Sequence, residues 1–279
     1  MTNQVGPDLR FIPVTTADPR RLTQEQIATY NTQGYLMPFD VFPAEEAQRN
    51  RLYFDELLTQ VRTMDDGRDA YSINGYQSRC QGIYDIATDA RILDIVADLV
   101  GPDVICWATH FFCKEPGDPK AVPWHQDASY WPLTPARTVT VWLAIDDVGT
   151  DNAPMQVIPG THAMGHLPWV ETKQDAVLGQ EVCAVEALGD PVAVTLRAGQ
   201  IELHADMLVH GSEPNQSTRR RCGLTLRYCP PTVRPLKSGW GSNAILCRGK
   251  DRTGHWRYCD RPRGEDLTRG TRPPQIGGN

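Results

Sequence analysis

Apolar residues recur at helical spacing in the first third of the chain. Thr23 and Gln26 form a capping-box pattern, which predicts the start of a first helix. Two further helices are predicted over residues 44–63 and after Thr88. We therefore expect a helical N-terminal part over about residues 23–101.

Beyond this part, the pattern changes to short apolar runs that are separated by Gly, Pro, Asn and Asp. Such runs are typical of β-strands, and they are VICWATHFFC, TVTVWLAIDDV, MQVIPGTH, PVAVTL, QIELHADMLVHGS and CGLTLRYC. Helices followed by many short strands predict helices packed on an antiparallel β-sandwich or barrel, here with its core over about residues 102–230. No linker is visible, so residues 1–279 are expected to form a single domain, with residues 231–279 as an Arg-, Gly- and Pro-rich C-terminal extension without predicted structure.

Composition narrows the functional classes. The formal net charge of -6 provides no basic field for nucleic acid, and no run of 18 apolar residues could span a membrane. The N-terminus lacks the pattern of a signal peptide, and none of the eight cysteines forms a CxxC pair. We therefore expect a cytoplasmic protein with reduced thiols and no structural zinc site, while the sequence does not indicate an oligomeric state.

The motif WHQDASYW contains His125 and Asp127. Residues i and i+2 of a strand point to the same face, so this pair presents one imidazole and one carboxylate to a common point. Iron(II) in oxygenases is typically bound by two histidines and one carboxylate. His210, at the end of an apolar run, is the predicted third ligand.

A second HxD pair, His204 and Asp206, lies close to His210 in the sequence. If the segment is one strand, six residues separate the two histidines by about 20 Å, and they could not share a metal ion. On a helix the case would differ, but the β-branched and glycine residues nearby favour a strand. We therefore prefer His125, Asp127 and His210 as the metal ligands.

Residues from about Lys114 to Tyr228 carry several motifs in a fixed order. They are KEPG from Lys114, WHQD from Trp124, VWLAIDDV from Val141, VIPGTH from Val157 and HGSEPNQSTRRR from His210. In these motifs the chain resembles the phytanoyl-CoA dioxygenase family of Fe(II)/2-oxoglutarate oxygenases, over about two thirds of its length. The resemblance implies a double-stranded β-helix, which is a cupin-type jelly-roll barrel, and the same metal ligands. It also implies Fe(II), 2-oxoglutarate and dioxygen as cofactor and co-substrates.

The resemblance further implies the residues that contact 2-oxoglutarate. Arg221 is expected to bind its distal carboxylate, because a guanidinium can form two parallel, charge-assisted hydrogen bonds with a carboxylate. Ser212 is expected to assist. Arg219 and Arg220 are interpreted as a solvated turn.

Trp142 and His110 match two further family positions near the co-substrate. The alternative for Trp142 is a plain core aromatic residue, and for His110 a hydrogen-bonded core histidine. His162, in the PGTH turn, is interpreted as structural.

The reaction implied by the resemblance is hydroxylation of an unactivated C–H bond of a small molecule, with release of succinate and CO2. The alternatives are another metal-dependent cupin reaction without 2-oxoglutarate and a non-catalytic jelly-roll binding protein. The substrate stays open. Aromatic side chains could hold a cationic group, namely those of Tyr71, Tyr76, Tyr130 and Trp131. Arginines could instead hold an anionic group, namely Arg79, Arg227 and Arg234.

Overall fold

The computed structural model describes residues 6–172 and 176–268. Four α-helices occupy the N-terminal part: α1 (Gln24–Gln33), α2 (Ala44–Thr63), α3 (Gln81–Ala87) and α4 (Ala90–Val100). Three of them are the predicted helices, and the capping box of Thr23 and Gln26 is formed in both directions. The short helix α3 was not predicted, because seven residues give too little periodicity.

In the described ranges, fourteen short strands follow or interleave with the helices. They are β1 (Tyr35–Asp40), β2 (Val104–Lys114), β3 (Val122–His125), β4 (Leu133–Thr134), β5 (Val139–Ala144), β6 (Gln156–Val157), β7 (Trp169–Glu171), β8 (Gln180–Val182), β9 (Val192–Ala193), β10 (Gln200–Ala205), β11 (His210–Ser212), β12 (Arg221–Cys229), β13 (Arg234–Pro235) and β14 (Ile245–Arg248). The fold is thus mainly β with flanking helices, as expected.

Two antiparallel sheets form the centre of the molecule. The larger sheet has six strands in the order β1-β10-β5-β12-β2-β14, and the smaller has four in the order β3-β11-β6-β9. Two pairs of short strands, β13-β4 and β7-β8, stand apart.

One face of the six-stranded sheet packs against the helices. On β12, Leu224 and Leu226 belong to the same buried apolar cluster as Phe54 and Leu57 of α2 and Ile92 of α4. The alternate residues of β12 point away from the helices and line a cavity instead. This period of two places the core on one side of the sheet and polar chemistry on the other.

The segment QIELHADMLVHGS is not one strand, which corrects the sequence-based prediction. β10 ends at Ala205, and β11 begins at His210 in the other sheet. Between them the chain turns, with the N–H of Leu208 donating to the carbonyl of Ala205 at 2.9 Å. The carboxylate of Asp206 accepts a hydrogen bond from the N–H of Thr138 at 2.8 Å. Both strands are buried, so the apolar pattern alone could not reveal the turn.

The described part of the C-terminal extension is ordered, although no structure was predicted for it. β14 joins the edge of the six-stranded sheet beside β2. Trp256 packs in an apolar cluster with Trp107 and Trp131, and its indole N–H donates to the carbonyl of Val233 at 2.7 Å. The extension therefore completes the sheet and supports Trp131. Among the described residues, no helix is both long and apolar enough to cross a bilayer.

Candidate metal centre and co-substrate cavity

His125, Asp127 and His210 meet inside the molecule. His125 is the last residue of β3, and it lies directly opposite His210, the first residue of β11. Asp127 begins a short 3-10 turn two residues after His125. The potential ligand atoms of the three side chains all lie within 4.8 Å of one another, and all three residues are buried. The structure thus brings together the three predicted ligands.

Backbone contacts fix the orientation of both imidazoles. Nδ1 of His125 donates to the carbonyl of Pro123 at 2.8 Å, and Nδ1 of His210 donates to the carbonyl of Leu208 at 3.0 Å. Each Nε2 is therefore left with a lone pair for a metal ion. Two imidazoles and a carboxylate on one side are the donor set that suits iron(II), so these residues fit this ion.

Gln126, between the two motif residues, anchors the turn from outside the cavity. Its side-chain amide donates to the carbonyls of Gly165 at 2.9 Å and Met207 at 2.8 Å, and its oxygen accepts from the N–H of Leu167 at 2.9 Å. The turn that carries Asp127 is therefore tied to two distant loops.

Asp127 lies among polar side chains. Its Oδ1 lies 3.5 Å from Nε2 of His125, and its Oδ2 accepts from the hydroxyl of Thr140 at 3.3 Å. Burial raises the pKa of Asp127, but the imidazoles of His125 and His204 outweigh this effect and hold the pKa well below its usual value. Asp127 is therefore an anion, as a metal ligand must be.

The structure corrects the predicted distance of about 20 Å between His204 and His210. Because the chain turns after Ala205, the two ring centroids are only 4.6 Å apart. His204 lines the cavity, whereas Asp206 points to the backbone of Thr138. The second HxD pair thus contributes its histidine to the site but not its carboxylate.

Glu202 and His204 form a buried pair that sequence analysis did not identify. Nδ1 of His204 donates to the carboxylate of Glu202 at 2.9 Å, and its Nε2 lies 3.9 Å from Oδ2 of Asp127. Burial lowers the pKa of His204, but Glu202 and Asp127 raise it to about 9. The signal available in the sequence was two ionisable residues at i and i+2 within the apolar run of β10.

Arg221 and Ser212 lie together in the same cavity. Nη2 of Arg221 donates to the hydroxyl oxygen of Ser212 at 3.1 Å, and its Nε donates to the carbonyl of Ala153 at 3.0 Å. The guanidinium carbon stands 5.7 Å from the ring centroid of Trp142. Arg221 is buried, and the described residues provide no ion pair for it. A buried guanidinium without an anionic partner is suited to bind a carboxylate.

Arg219 and Arg220, unlike Arg221, form ion pairs with acidic side chains. Arg219 is half exposed and pairs with Asp151 at 2.8 Å, which fits the predicted solvated turn. Arg220 does not fit it, because its side chain is mostly buried and binds both Asp146 and Asp55 of α2. Arg220 therefore fastens the start of β12 to the helices.

His110 is not among the residues that line this cavity. Its Nε2 lies 2.7 Å from the carbonyl oxygen of Tyr71, and its ring packs on that of Phe112 at 4.1 Å between centroids. Its assignment as a contact of 2-oxoglutarate stays a prediction. His162 packs edge-on against Phe11 at 4.4 Å, in agreement with a structural role.

Of the residues suggested for substrate binding, the structure places Tyr130 and Arg227 in the cavity wall. The hydroxyl of Tyr71 donates to Asp118, and that of Tyr76 accepts from Arg68. Arg79 pairs with Asp266.

The sequence model of the family described as Phytanoyl-CoA dioxygenase (PhyH) matches residues 30–223, which is more than half of the chain. Peroxisomal phytanoyl-CoA dioxygenase of Homo sapiens is 23% identical over 237 residues, covering 76% of this chain and 70% of that protein. A probable alpha-ketoglutarate-dependent hypophosphite dioxygenase of Stutzerimonas stutzeri is 30% identical over 156 residues, covering 52% of each chain.

Among solved structures, the apo form of the non-heme monooxygenase ThoJ superposes with a TM-score of 0.75 at 28% identity, covering 85% of this chain and 88% of that one. The matched region includes every metal-site and cavity residue named above except those after residue 223. The prediction of an iron(II)- and 2-oxoglutarate-dependent dioxygenase is thus confirmed at the level of the family. The chain belongs to the phytanoyl-CoA dioxygenase family.

Proposed function

We propose that this chain is a hydroxylase that places one oxygen atom of dioxygen into an unactivated C–H bond of a small molecule. 2-Oxoglutarate would be the co-substrate, and succinate and CO2 the by-products. The observation that carries the proposal is the presence of two arrangements in one cavity, the His125–Asp127–His210 cluster and the Arg221–Ser212 pair. A site that bound only a metal ion would not need a buried guanidinium that has no ion pair among the described residues.

Different side chains would bind the metal ion and the co-substrate. His125 and His210 would hold iron(II) through Nε2, and Asp127 would hold it through a carboxylate oxygen. When bound, iron(II) supplies the activation of dioxygen that is coupled to the decarboxylation of 2-oxoglutarate.

Away from the metal cluster, Arg221 would bind the distal carboxylate of 2-oxoglutarate with two parallel hydrogen bonds. The hydroxyl of Ser212 accepts from Arg221, so its own proton is free to be donated to the same carboxylate. The ring of Trp142 flanks the guanidinium and limits where the co-substrate can lie.

The two sheets support the finer prediction of a double-stranded β-helix. The chain alternates between them, since β2, β5, β10 and β12 belong to the larger sheet and β3, β6, β9 and β11 to the smaller one. Such alternation is how a jelly roll encloses a site between two sheets. We propose that the whole chain is one domain of this type, with the helices outside the larger sheet.

The metal assignment is tested with apo-protein that receives Fe(II) and 2-oxoglutarate without oxygen. The complex is expected to develop a weak visible charge-transfer band, and His125→Ala, Asp127→Ala and His210→Ala should each abolish it. His204→Asn is the matched control, because it lies equally close to the centre but is bound to Glu202. Loss of the band in His204→Asn with retention in His210→Ala would show that the other histidine is the ligand.

The co-substrate assignment is tested by titrating that band with 2-oxoglutarate. Arg221→Ala should raise the required concentration by roughly 30-fold or more, because losing one partner of a desolvated charge pair costs about 2–5 kcal/mol. Arg219→Ala is the control, since that side chain is half exposed, and it should change the concentration less than twofold. Succinate formation in air, measured without added substrate, separates the proposal from its alternatives. A cupin enzyme of another kind or a binding protein would release no succinate.

A further inference from the structure

We propose that Arg227 binds an anionic group of the substrate, so that this enzyme acts on small molecules bearing one carboxylate or similar oxyanion. The inference rests on the proposed function and names the substrate class of the same cavity. Arg227 stands on β12, six residues after Arg221, and both side chains line the cavity.

Arg227 is buried, and part of its guanidinium group has no hydrogen-bond partner. Only 2% of the residue is exposed, and neither Nε nor Nη1 has a hydrogen-bond partner within the described residues. Arg221, by contrast, donates to Ser212 and to the carbonyl of Ala153. A buried guanidinium whose donors are unsatisfied is costly, and a bound anion would remove that cost. Burial also lowers the pKa of Arg227, and the negative charge of Asp127 opposes this shift.

The two arginines lie near different residues of the metal cluster. Arg221 contacts Ser212, two residues after His210. Arg227 is directly opposite Thr140 on β5, and the hydroxyl of Thr140 donates to Asp127. At about 3.3 Å per residue, the backbone positions of Arg221 and Arg227 are roughly 20 Å apart along β12. 2-Oxoglutarate needs one guanidinium for its distal carboxylate and the metal for its other end, so it leaves Arg227 free.

The charges that face the cavity lead to the same conclusion. A divalent metal ion and two arginines carry four positive charges, whereas Asp127 and 2-oxoglutarate carry three negative charges. The pair of Glu202 and protonated His204 is neutral as a unit. One positive charge therefore remains when metal and co-substrate are bound, and it lies on the side of Arg227. A substrate with a single negative charge would balance it, and a cationic substrate would be repelled.

Aromatic residues hold the guanidinium in place. Its central carbon lies 5.3 Å from the ring centroid of Trp131, which packs edge-on against Trp107 at 4.8 Å between centroids. Trp256 of the C-terminal extension completes this cluster. A planar guanidinium stacked on a fixed indole presents its N–H edge in one direction, which suits a carboxylate.

The test uses protein loaded with Fe(II) and 2-oxoglutarate under anaerobic conditions. Benzoate, hexanoate and L-proline are each titrated by calorimetry beside their neutral or cationic amides, benzamide, hexanamide and L-prolinamide. We expect at least one carboxylate to bind at least 10-fold more tightly than its amide. Arg227→Met should abolish this preference and leave the dissociation constant of 2-oxoglutarate within twofold, whereas Arg227→Lys should keep part of the preference. Arg234→Met, at an exposed position, is the control.

Two results would overturn the inference. One is equal or tighter binding of every amide to the unsubstituted protein, a comparison that does not depend on any variant folding. The other is an Arg227→Met variant, folded by circular dichroism, that binds 2-oxoglutarate 10-fold more weakly with an unchanged carboxylate preference. In that case Arg227 would hold the co-substrate. Succinate release without substrate tests the proposed function separately, so the two can fail independently.

Discussion

Gly223 is the point where β12 and the indole of Trp142 come closest. A methyl group at this position would overlap with three ring atoms, Cζ2, Cε2 and Cη2, the last at 2.5 Å. The ring in turn flanks Arg221. Since Trp142 is buried between β10 and β12, it cannot move without disturbing its neighbours. We therefore expect Gly223→Ala to damage both stability and co-substrate binding.

The size of the effect follows from overpacking. Forcing an extra methyl into a filled core costs about 1–3 kcal/mol. For a chain of this length, such a loss lowers Tm by roughly 2–10 °C. Displacing the indole from Arg221 removes a cation–π contact of about 0.5–2 kcal/mol, so the dissociation constant of 2-oxoglutarate should rise about 2- to 30-fold. Thermal denaturation measures the first quantity, and anaerobic titration of the charge-transfer band measures the second.

Two further variants make the interpretation specific. Gly264→Ala is the matched control, because a methyl there meets no atom within 4 Å, and its melting temperature should be unchanged. In the double variant Gly223→Ala/Trp142→Leu, the overlap disappears, so its loss of stability should be smaller than the sum of the two single losses. If Gly223→Ala melts within 1 °C of the unsubstituted protein and binds 2-oxoglutarate equally well, the close approach does not constrain the site.

Two other predictions concern the buried carboxylates around the metal cluster. Burial raises the pKa of Asp206 to about 7, although the hydrogen bond from the N–H of Thr138 has the opposite effect on this pKa. The contribution of Asp206 to the free energy of unfolding is largest below the usual carboxyl pKa. It is lost as the pH rises through 7, by at most about 1.4 kcal/mol per pH unit. Between pH 5 and 8, Tm should therefore fall more in the unsubstituted protein than in Asp206→Asn; parallel curves would contradict this. Glu202→Gln keeps an acceptor for His204 but removes the negative charge that raises the pKa of His204. We therefore expect the pKa of His204 to fall in this variant, measured by NMR titration of the imidazole, and an unchanged pKa would contradict the pairing. Glu186→Gln, at an exposed position, should leave that pKa unchanged.

Local signals in the sequence predicted the parts of the fold that depend on neighbouring residues. The capping box at Thr23 is a contact over three residues, and it formed as expected. The pairing of His125 with Asp127 also follows from adjacent positions, while His210 was chosen because an apolar run ends there. The turn between Ala205 and His210 was not predictable in this way, since strands buried on both faces have no alternation to interrupt. Asp206 within that run was the available sign, because a carboxylate there needs a partner, and the partner is the distant N–H of Thr138.

The two faces of β12 carry different kinds of side chain, so the number of residues in this strand cannot change without exchanging them. Leu224 and Leu226 pack toward the helices, while Arg221 and Arg227 project into the cavity. Inserting or deleting a single residue within the strand would exchange the two sets, burying guanidinium groups among apolar side chains and exposing leucines to the metal cluster. Related sequences should therefore vary in length in the loop before β12, over residues 213–220, and not within the strand itself.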